Sequence, residues 1–323
     1  MKSNFLFIIS LLFYTSVSLA QDLNQPNQAE VQALLSIQDK IPGEIIFQSN
    51  RSGYWQIMKM KADGRNLKSL TSGNHNNIEP RSKEDLIIFT SDRAGTWQIY
   101  SMDHEGQNIQ NLSQSQQNEF LRGTTNDMEK VLFQTKELNV MDVYIREMSS
   151  KQIYKINFEK FPGREGHISP ILSPDGKQIS FLFKGGRDAR RGVYISDLKI
   201  NEHGYFIENA RFVHMGCFSV WNHSAEDFIM CFFRPGGTDL YQINAKSLQN
   251  TRLTNSSQWN YFPEWGPKNE WIVWTASPTE HHDSAKGKYD IYIQNLEDKK
   301  PIRLTFHPNS DIAPCWLWSE RNQ

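Results

Sequence analysis

The sequence predicts an all-β chain folded as a six-bladed β-propeller, its ring closed by the C-terminal strand pairing into blade one. Three observations carry this. First, a unit repeats at a fixed offset: Phe47 returns as Phe89, Trp55 as Trp97 and Leu70 as Leu112, each 42 positions on. That length holds four short strands and their turns, which is one propeller blade. Second, a strand of the type Trp97-Gln98-Ile99-Tyr100 follows the repeat through the chain. It recurs at Gln56-Ile57, Asp142-Val143-Tyr144-Ile145, Val193-Tyr194-Ile195, Asp239-Leu240-Tyr241 and Asp290-Ile291-Tyr292-Ile293. Third, the inner strand missing ahead of Ile45 turns up at the other end, as Ile312-Ala313-Pro314-Cys315-Trp316.

Taken in order, residues 1–20 read as a signal peptide. Lys2 precedes an apolar run from Phe5 to Tyr14, and Ser18-Leu19-Ala20 offers small residues for cleavage before Gln21. The run is too short to span a bilayer, and nothing downstream is longer, so no transmembrane segment is expected after cleavage. The protein is expected to be periplasmic or secreted. Residues 21–40 read as a linker or short helix, because Val31, Leu34, Leu35 and Ile37 fall at helical spacing. Residues 41–323 make up the propeller.

Within a blade, a β-run such as Ile45-Ile46-Phe47 leads to a turn, then to the alternating third strand, then to a short Leu-Thr or Leu-Ser strand. The last recurs at Leu70-Thr71, Leu112-Ser113, Leu253-Thr254 and Leu304-Thr305. The innermost strand is fullest at His167-Ile168-Ser169-Pro170-Ile171-Leu172, followed by Ser173-Pro174-Asp175-Gly176. There Pro presets φ and Gly accepts a positive φ, so the chain turns. Degenerate copies stand at Ile78-Glu79-Pro80-Arg81, Phe218-Ser219-Val220-Trp221 and Tyr261-Phe262-Pro263-Glu264-Trp265. The copy Phe120-Leu121-Arg122-Gly123 has lost the proline.

These repeats resemble the TolB-like six-bladed propeller family (WD40-like, or PD40, repeats) over about residues 41–320. The resemblance rests on Ile87-Ile88-Phe89-Thr90-Ser91-Asp92-Arg93, Trp97-Gln98-Ile99-Tyr100-Ser101-Met102-Asp103 and Ser173-Pro174-Asp175-Gly176-Lys177. It implies the fold but not one function, since that propeller serves envelope scaffolds, peptidase accessory domains and some polysaccharide lyases. TolB itself carries an α/β domain ahead of its propeller. Here that domain is expected to be lacking, with about twenty residues between the signal peptide and blade one.

A formal net charge of −1 argues against a nucleic-acid footprint or a polybasic membrane patch. Aligning the inner strands on their proline names the residue three places earlier: Asn77, Glu119, His167, Gly216, Asn260 and Asp311. The polar five, Asn77, Glu119, His167, Asn260 and Asp311, are the candidate ligand-binding ring at the channel mouth. Channel walls are also polar simply because water fills them. No cofactor is predicted. A divalent metal is possible on Glu119, His167 and Asp311, whose donors suit one. His281-His282-Asp283 reads as a second metal candidate or a solvated loop. Arg187-Asp188-Ala189-Arg190-Arg191 reads as a site for an acidic partner or a hairpin tip. Trp55 and Trp97, at equivalent repeat positions, read as blade packing. Cys217, Cys231 and Cys315 read as buried thiols, with a Cys217–Cys231 bridge geometrically open.

No catalytic residues are assigned. The chain has no Gly-x-Ser-x-Gly elbow, and no hydrolase domain is expected after Gln323; phosphate loops and dinucleotide turns are missing as well. The expected function is a non-catalytic scaffold of the cell envelope that binds an envelope protein or an acidic glycan. The alternative is a metal-dependent polysaccharide lyase of the oligogalacturonate type. By the family resemblance, His167 would serve it as ligand or base, and Arg122 or Arg81 would neutralise a uronate.

Overall fold

Each repeat folds around one apolar run that is covered on both faces. Ile45, Ile46 and Phe47 are fully buried, as are Ile87, Ile88 and Phe89. A strand covered on both sides reads as a continuous run, not an alternation. Each such side chain contributes about 1.5–3 kcal/mol by leaving water. The structure is a computed structural model that describes residues 24–317, apart from 84, 114, 138–139, 159–160, 162–167, 186–188 and 280–286. The expected signal peptide at residues 1–20 lies outside the described residues.

The first sheet is built from β1 (Glu44–Ser49), β2 (Gln56–Lys61) and β3 (Lys68–Ser69). The second runs β4 (Asn77–Lys83), β5 (Leu86–Ser91), β6 (Gln98–Asp103), β7 (Gln110–Asn111). The third holds β8 (Glu119–Thr124), β9 (Lys130–Glu137), β10 (Val140–Glu147) and β11 (Ile153–Lys155). Next come β12 (Ile168–Leu172), β13 (Gln178–Phe183), β14 (Gly192–Asn201) and β15 (Gly204–His214). The chain continues through β16 (Gly216–Trp221), β17 (Asp227–Arg234), β18 (Gly237–Asn244) and β19 (Asn250–Arg252). It then forms β20 (Trp259–Trp265), β21 (Trp271–Ser277), β22 (Asp290–Asn295) and β23 (Ile302–Arg303). Neighbours within each sheet are antiparallel. One parallel bridge, Thr238↔Trp259, joins the last two groups into an eight-stranded sheet. The final strand, β24 (Asp311–Leu317), pairs with β1 from Glu44↔Leu317 to Ser49↔Asp311.

Apolar clusters sit between successive sheets. Ile46 and Ile57 meet Ile87 and Phe89; Ile88 and Ile99 meet Val131 and Phe133. Leu132 and Ile145 meet Ile179 and Phe181, and Val193 and Ile195 meet Phe228 and Met230. Ile229 and Leu240 meet Ile272 and Trp274. A further cluster brings Val273, Ile291 and Ile293 against Ile45, Phe47 and Met58 of the first sheet. Every face of a β1-type run therefore has a neighbour.

Ahead of the first sheet lies a helix, α1 (Gln28–Ile37), started by a capping box in which Asn27 and Glu30 exchange side-chain-to-backbone hydrogen bonds of 2.9 Å. Leu34 and Ile37 join the cluster at the first sheet, and Glu30 lies 3.6 Å from Arg303. Val31 and Leu35 stay exposed.

The Leu-Thr signature has a different basis from the strand expected. The fourth strands end at Ser69, Asn111, Arg252 and Arg303, before or at the leucine's neighbour. The hydroxyl that follows accepts a backbone N–H of the third strand: Thr71 from Ile57, Ser113 from Ile99, Thr254 from Leu240 and Thr305 from Ile291, at 2.8–2.9 Å. Sheets also approach closely through a turn. At Gly106, φ is 80°, and a Cβ there would meet the Leu70 carbonyl oxygen at 2.4 Å.

Candidate functional site

Six strands, β4, β8, β12, β16, β20 and β24, frame a cavity of about 520 Å³. Each carries a bulge against its neighbour, where the inner strand has one residue more than its partner. In five of them the bulge holds a non-glycine residue in the left-handed region: Glu79, Ser169, Phe218, Phe262 and Ala313, with φ between 46° and 53°. That conformation costs roughly 1–2 kcal/mol for a residue with a Cβ, and such bulges re-aim side chains near functional sites. All five line the cavity. β8, whose copy lacks the proline, bulges at Arg122 instead, and Arg122 lines the cavity too.

The lining has two halves. On β4 and β8 it is charged. Arg122 Nη1 reaches both oxygens of Glu79 at 2.6–2.7 Å, while its Nε donates to Gln134 Oε1 at 2.6 Å. Arg81 donates to the Pro80 carbonyl at 3.0 Å and makes no ion pair with a described residue. On β16 and β20 the lining is aromatic. The rings of Phe218 and Phe262 lie 4.3 Å apart between centroids and remain half-buried, with Trp221 and Trp265 buried beside them. Trp316, on β24, is buried at the same wall.

The sequence-derived ring occupies a different level. Asn77, Glu119, Asn260 and Asp311 begin β4, β8, β20 and β24 or sit within one residue of doing so, and all are buried. Asn77 Nδ2 donates to Gln56 and its Oδ1 accepts from Arg93 at 2.8 Å. Both Glu119 oxygens accept from Arg146 Nη2 at 3.0 Å. Asn260 donates to the Thr238 carbonyl at 2.6 Å and accepts from Trp274 Nε1 at 2.8 Å. Asp311 accepts at both oxygens from Arg51 Nη2 at 2.9 Å. None of the four lines the cavity. His167 lies outside the described residues, as do His281, His282 and Asp283. Among the described residues, no three or more His, Cys, Asp and Glu side chains converge as a metal site requires.

Other candidates fall elsewhere. Arg190 stacks on Phe212 with its guanidinium carbon 3.4 Å from the ring centre; Arg187 and Asp188 are outside the described residues. Trp97 packs on Phe120 at 5.8 Å, and Trp55 packs beside Tyr289 and Ile312. Cys217 and Cys231 face each other in register as free thiols. Burial, with the neighbouring Cys217, pushes the Cys231 thiol up. Asp290 is the most perturbed carboxyl. Burial raises it from 3.8 to about 7 against the pull of Arg303, and its Oδ1 has no hydrogen-bond partner among the described residues.

Arg81 and Arg122, named from the family resemblance, line the cavity; what the sequence missed is the rest of the lining. The signal was present as the residue just before each inner-strand proline, in Ile78-Glu79-Pro80, Ile168-Ser169-Pro170, Tyr261-Phe262-Pro263 and Ile312-Ala313-Pro314.

Comparison with known proteins bears on the fold. Residues 27–139 match the family described as the dipeptidyl peptidase IV N-terminal region. No curated protein matches the chain. Among solved structures, TolB from Acinetobacter baumannii is 14% identical with a TM-score of 0.67, covering 88% of this chain and 70% of that one. The putative TolB from Agrobacterium tumefaciens is 12% identical with a TM-score of 0.59, covering 86% and 98%. Oligogalacturonate lyase from Vibrio parahaemolyticus is 12% identical with a TM-score of 0.53, covering 83% and 76%. At these identities the likeness is one of fold: all-β, with TolB-like propellers as neighbours. No helix among the described residues is long and apolar enough to cross a membrane.

Proposed function

We propose that the chain is an exported, six-bladed propeller acting as a non-catalytic binding module of the cell envelope, with a group of its protein or glycan partner held in the central cavity. The pairing of β24 with β1, and the cluster that joins Val273 and Ile291 to Ile45 and Phe47, support closure of the ring into six blades. In this reading residues 1–20 are the signal peptide, 21–40 carry the docked helix, and 41–323 are the propeller. The protein then works in the periplasm or outside the cell.

The observation that carries the reading is the two-sided lining. A charged wall and an aromatic wall converge on one cavity, and five strained bulge residues aim into it. Concave sites with apolar walls and a few placed polar groups are the usual form of a binding site. The ring residues Asn77, Glu119, Asn260 and Asp311 are assigned a supporting role, holding the strand starts through buried partners. The lyase alternative needs a base or metal ligand beside Arg81 or Arg122. Its candidate, His167, lies outside the described residues, and Glu119 and Asp311 are each engaged by an arginine.

The test is capture from an envelope extract by the chain from Gln21 onward, alongside an Arg81→Ala/Phe262→Ala variant. A partner held by the parent and lost by the variant is the expected result. A partner held equally by both would move binding off the cavity, and no partner at all would overturn the binding-module reading.

A further inference from the structure

We infer that the cavity recognises a single carboxylate joined to a flat apolar ring, the carboxylate against Arg81 and the ring against Phe218 and Phe262. The inference rests on the binding-module reading and names the chemistry of its ligand.

The charged wall sets the anion. Of the two arginines that line the cavity, Arg122 is committed to Glu79 on one side and Gln134 on the other. Arg81 is half-buried, gives one hydrogen bond to the Pro80 carbonyl, and has no carboxylate partner among the described residues. A guanidinium carries five donors in a planar fork, so most of its donors remain for a ligand, in the geometry that matches a carboxylate. Three acidic side chains also line the cavity: Glu79 on β4, Asp85 in the turn after it, and Glu264 across on β20. Glu79 is neutralised by Arg122, while Asp85 and Glu264 have partners of their own. Acidic groups lining the same cavity disfavour a doubly charged phosphate and leave a monoanion as the fitting charge.

The aromatic wall sets the body. Phe218 and Phe262 are brought together by bulges on β16 and β20, each with φ in the left-handed region. Both remain half-buried although their centroids are only 4.3 Å apart, so ring surface faces the cavity. A planar apolar group stacks on such a surface edge-to-face or offset. The volume of about 520 Å³ is ample for one ring and its acid.

Two sources share this chemistry: a free aryl-alkanoic acid, and the C-terminal aromatic residue of a peptide. Titration calorimetry with 3-phenylpropionate, 3-phenylpropanamide, the peptide Gly-Gly-Phe and its C-terminal amide separates them. Each acid is expected to bind at least tenfold tighter than its amide. Arg81→Gln should erase that ratio while Arg81→Lys keeps part of it, and Phe262→Ala should weaken acid and amide alike. Binding by phenylpropionate alone assigns the free acid, and tighter binding by the peptide assigns a chain terminus. Equal affinity for acid and amide, an acid preference that survives Arg81→Gln, or no binding at millimolar probe would overturn the inference. If the probes fail yet a captured partner is still lost with the cavity variant, the ligand class falls while the binding module stands. If the probes bind but no partner is captured, the reverse holds.

Discussion

Replacing Glu119 by alanine separates a structural carboxylate from a ligand-binding one. Both Glu119 oxygens take hydrogen bonds of 3.0 Å from Arg146 Nη2, and the two side chains are 4% and 7% exposed. Arg146 also lies over Phe133, 4.8 Å from the ring centre, and its Nη1 has no partner among the described residues. Removing the carboxylate strands a charge that water cannot reach. Breaking a buried pair in this way costs about 3–5 kcal/mol, an apparent melting shift on the order of 10 °C for a domain of this size. Urea unfolding followed by tryptophan fluorescence measures it. Replacing both partners, as Glu119→Leu with Arg146→Met, should restore stability to within about 1 kcal/mol of the parent, because both desolvation penalties disappear together. A Glu119→Ala variant as stable as the parent would refute this reasoning and return Glu119 to the list of groups available to a ligand or a divalent ion.

Gly106→Ala should destabilise by more than about 2 kcal/mol, since a positive φ is joined by backbone collision with Leu70, whereas Gly95→Ala, with φ of 86° but open space, should cost about 1 kcal/mol. Denaturant midpoints of the two variants decide it, and equal losses would remove the collision from the account. Thr71→Val and Thr254→Val should each cost about 1–3 kcal/mol by leaving the Ile57 or Leu240 N–H without its acceptor. Hydrogen exchange at those two amides reads the effect directly. Asp290 gives a pH dependence. Its carboxyl keeps a proton in the fold after the unfolded chain has lost it, so stability declines as pH rises from about 4 to about 7 and is level beyond, by no more than about 4 kcal/mol. Unfolding midpoints at pH 4.5 and 7.5 should therefore differ less in Asp290→Asn than in the parent, and an unchanged difference would remove Asp290 as the cause.

Blade organisation was legible because it depends on local signals repeated at one spacing. Ile87-Ile88-Phe89 announces a strand covered on both sides wherever it occurs, and Ser173-Pro174-Asp175-Gly176 announces its turn. The site was less legible for two physical reasons. A polar residue at a strand start looks the same whether it faces water or a buried cation, and the cation can be far away in sequence. Arg51 and Asp311 are 260 residues apart. The second reason is the bulge. Inserting one residue into a strand resets which side chains face which way, so stepping from Asn77 or Asn260 by alternation does not give the orientation of Glu79 or Phe262. Loss of the proline did not mark the third inner strand either, because β16 carries Ser219 at that position and still bulges at Phe218, whereas β8 bulges at Arg122.

The pairing of β24 with β1 also sets a schedule for folding. The chain emerges with β1 complete on one side through β2, while its other edge has no partner until residue 311 is made. At synthesis rates of about 5–20 residues per second, that interval is on the order of tens of seconds. Throughout it, the edge of β1 that later pairs with β24 presents unpaired backbone N–H and C=O groups on which another chain could lay a strand. The last seven residues of described structure therefore act as the end of a vulnerable period, and the nascent chain depends during that period on whatever keeps its first edge from finding the wrong mate.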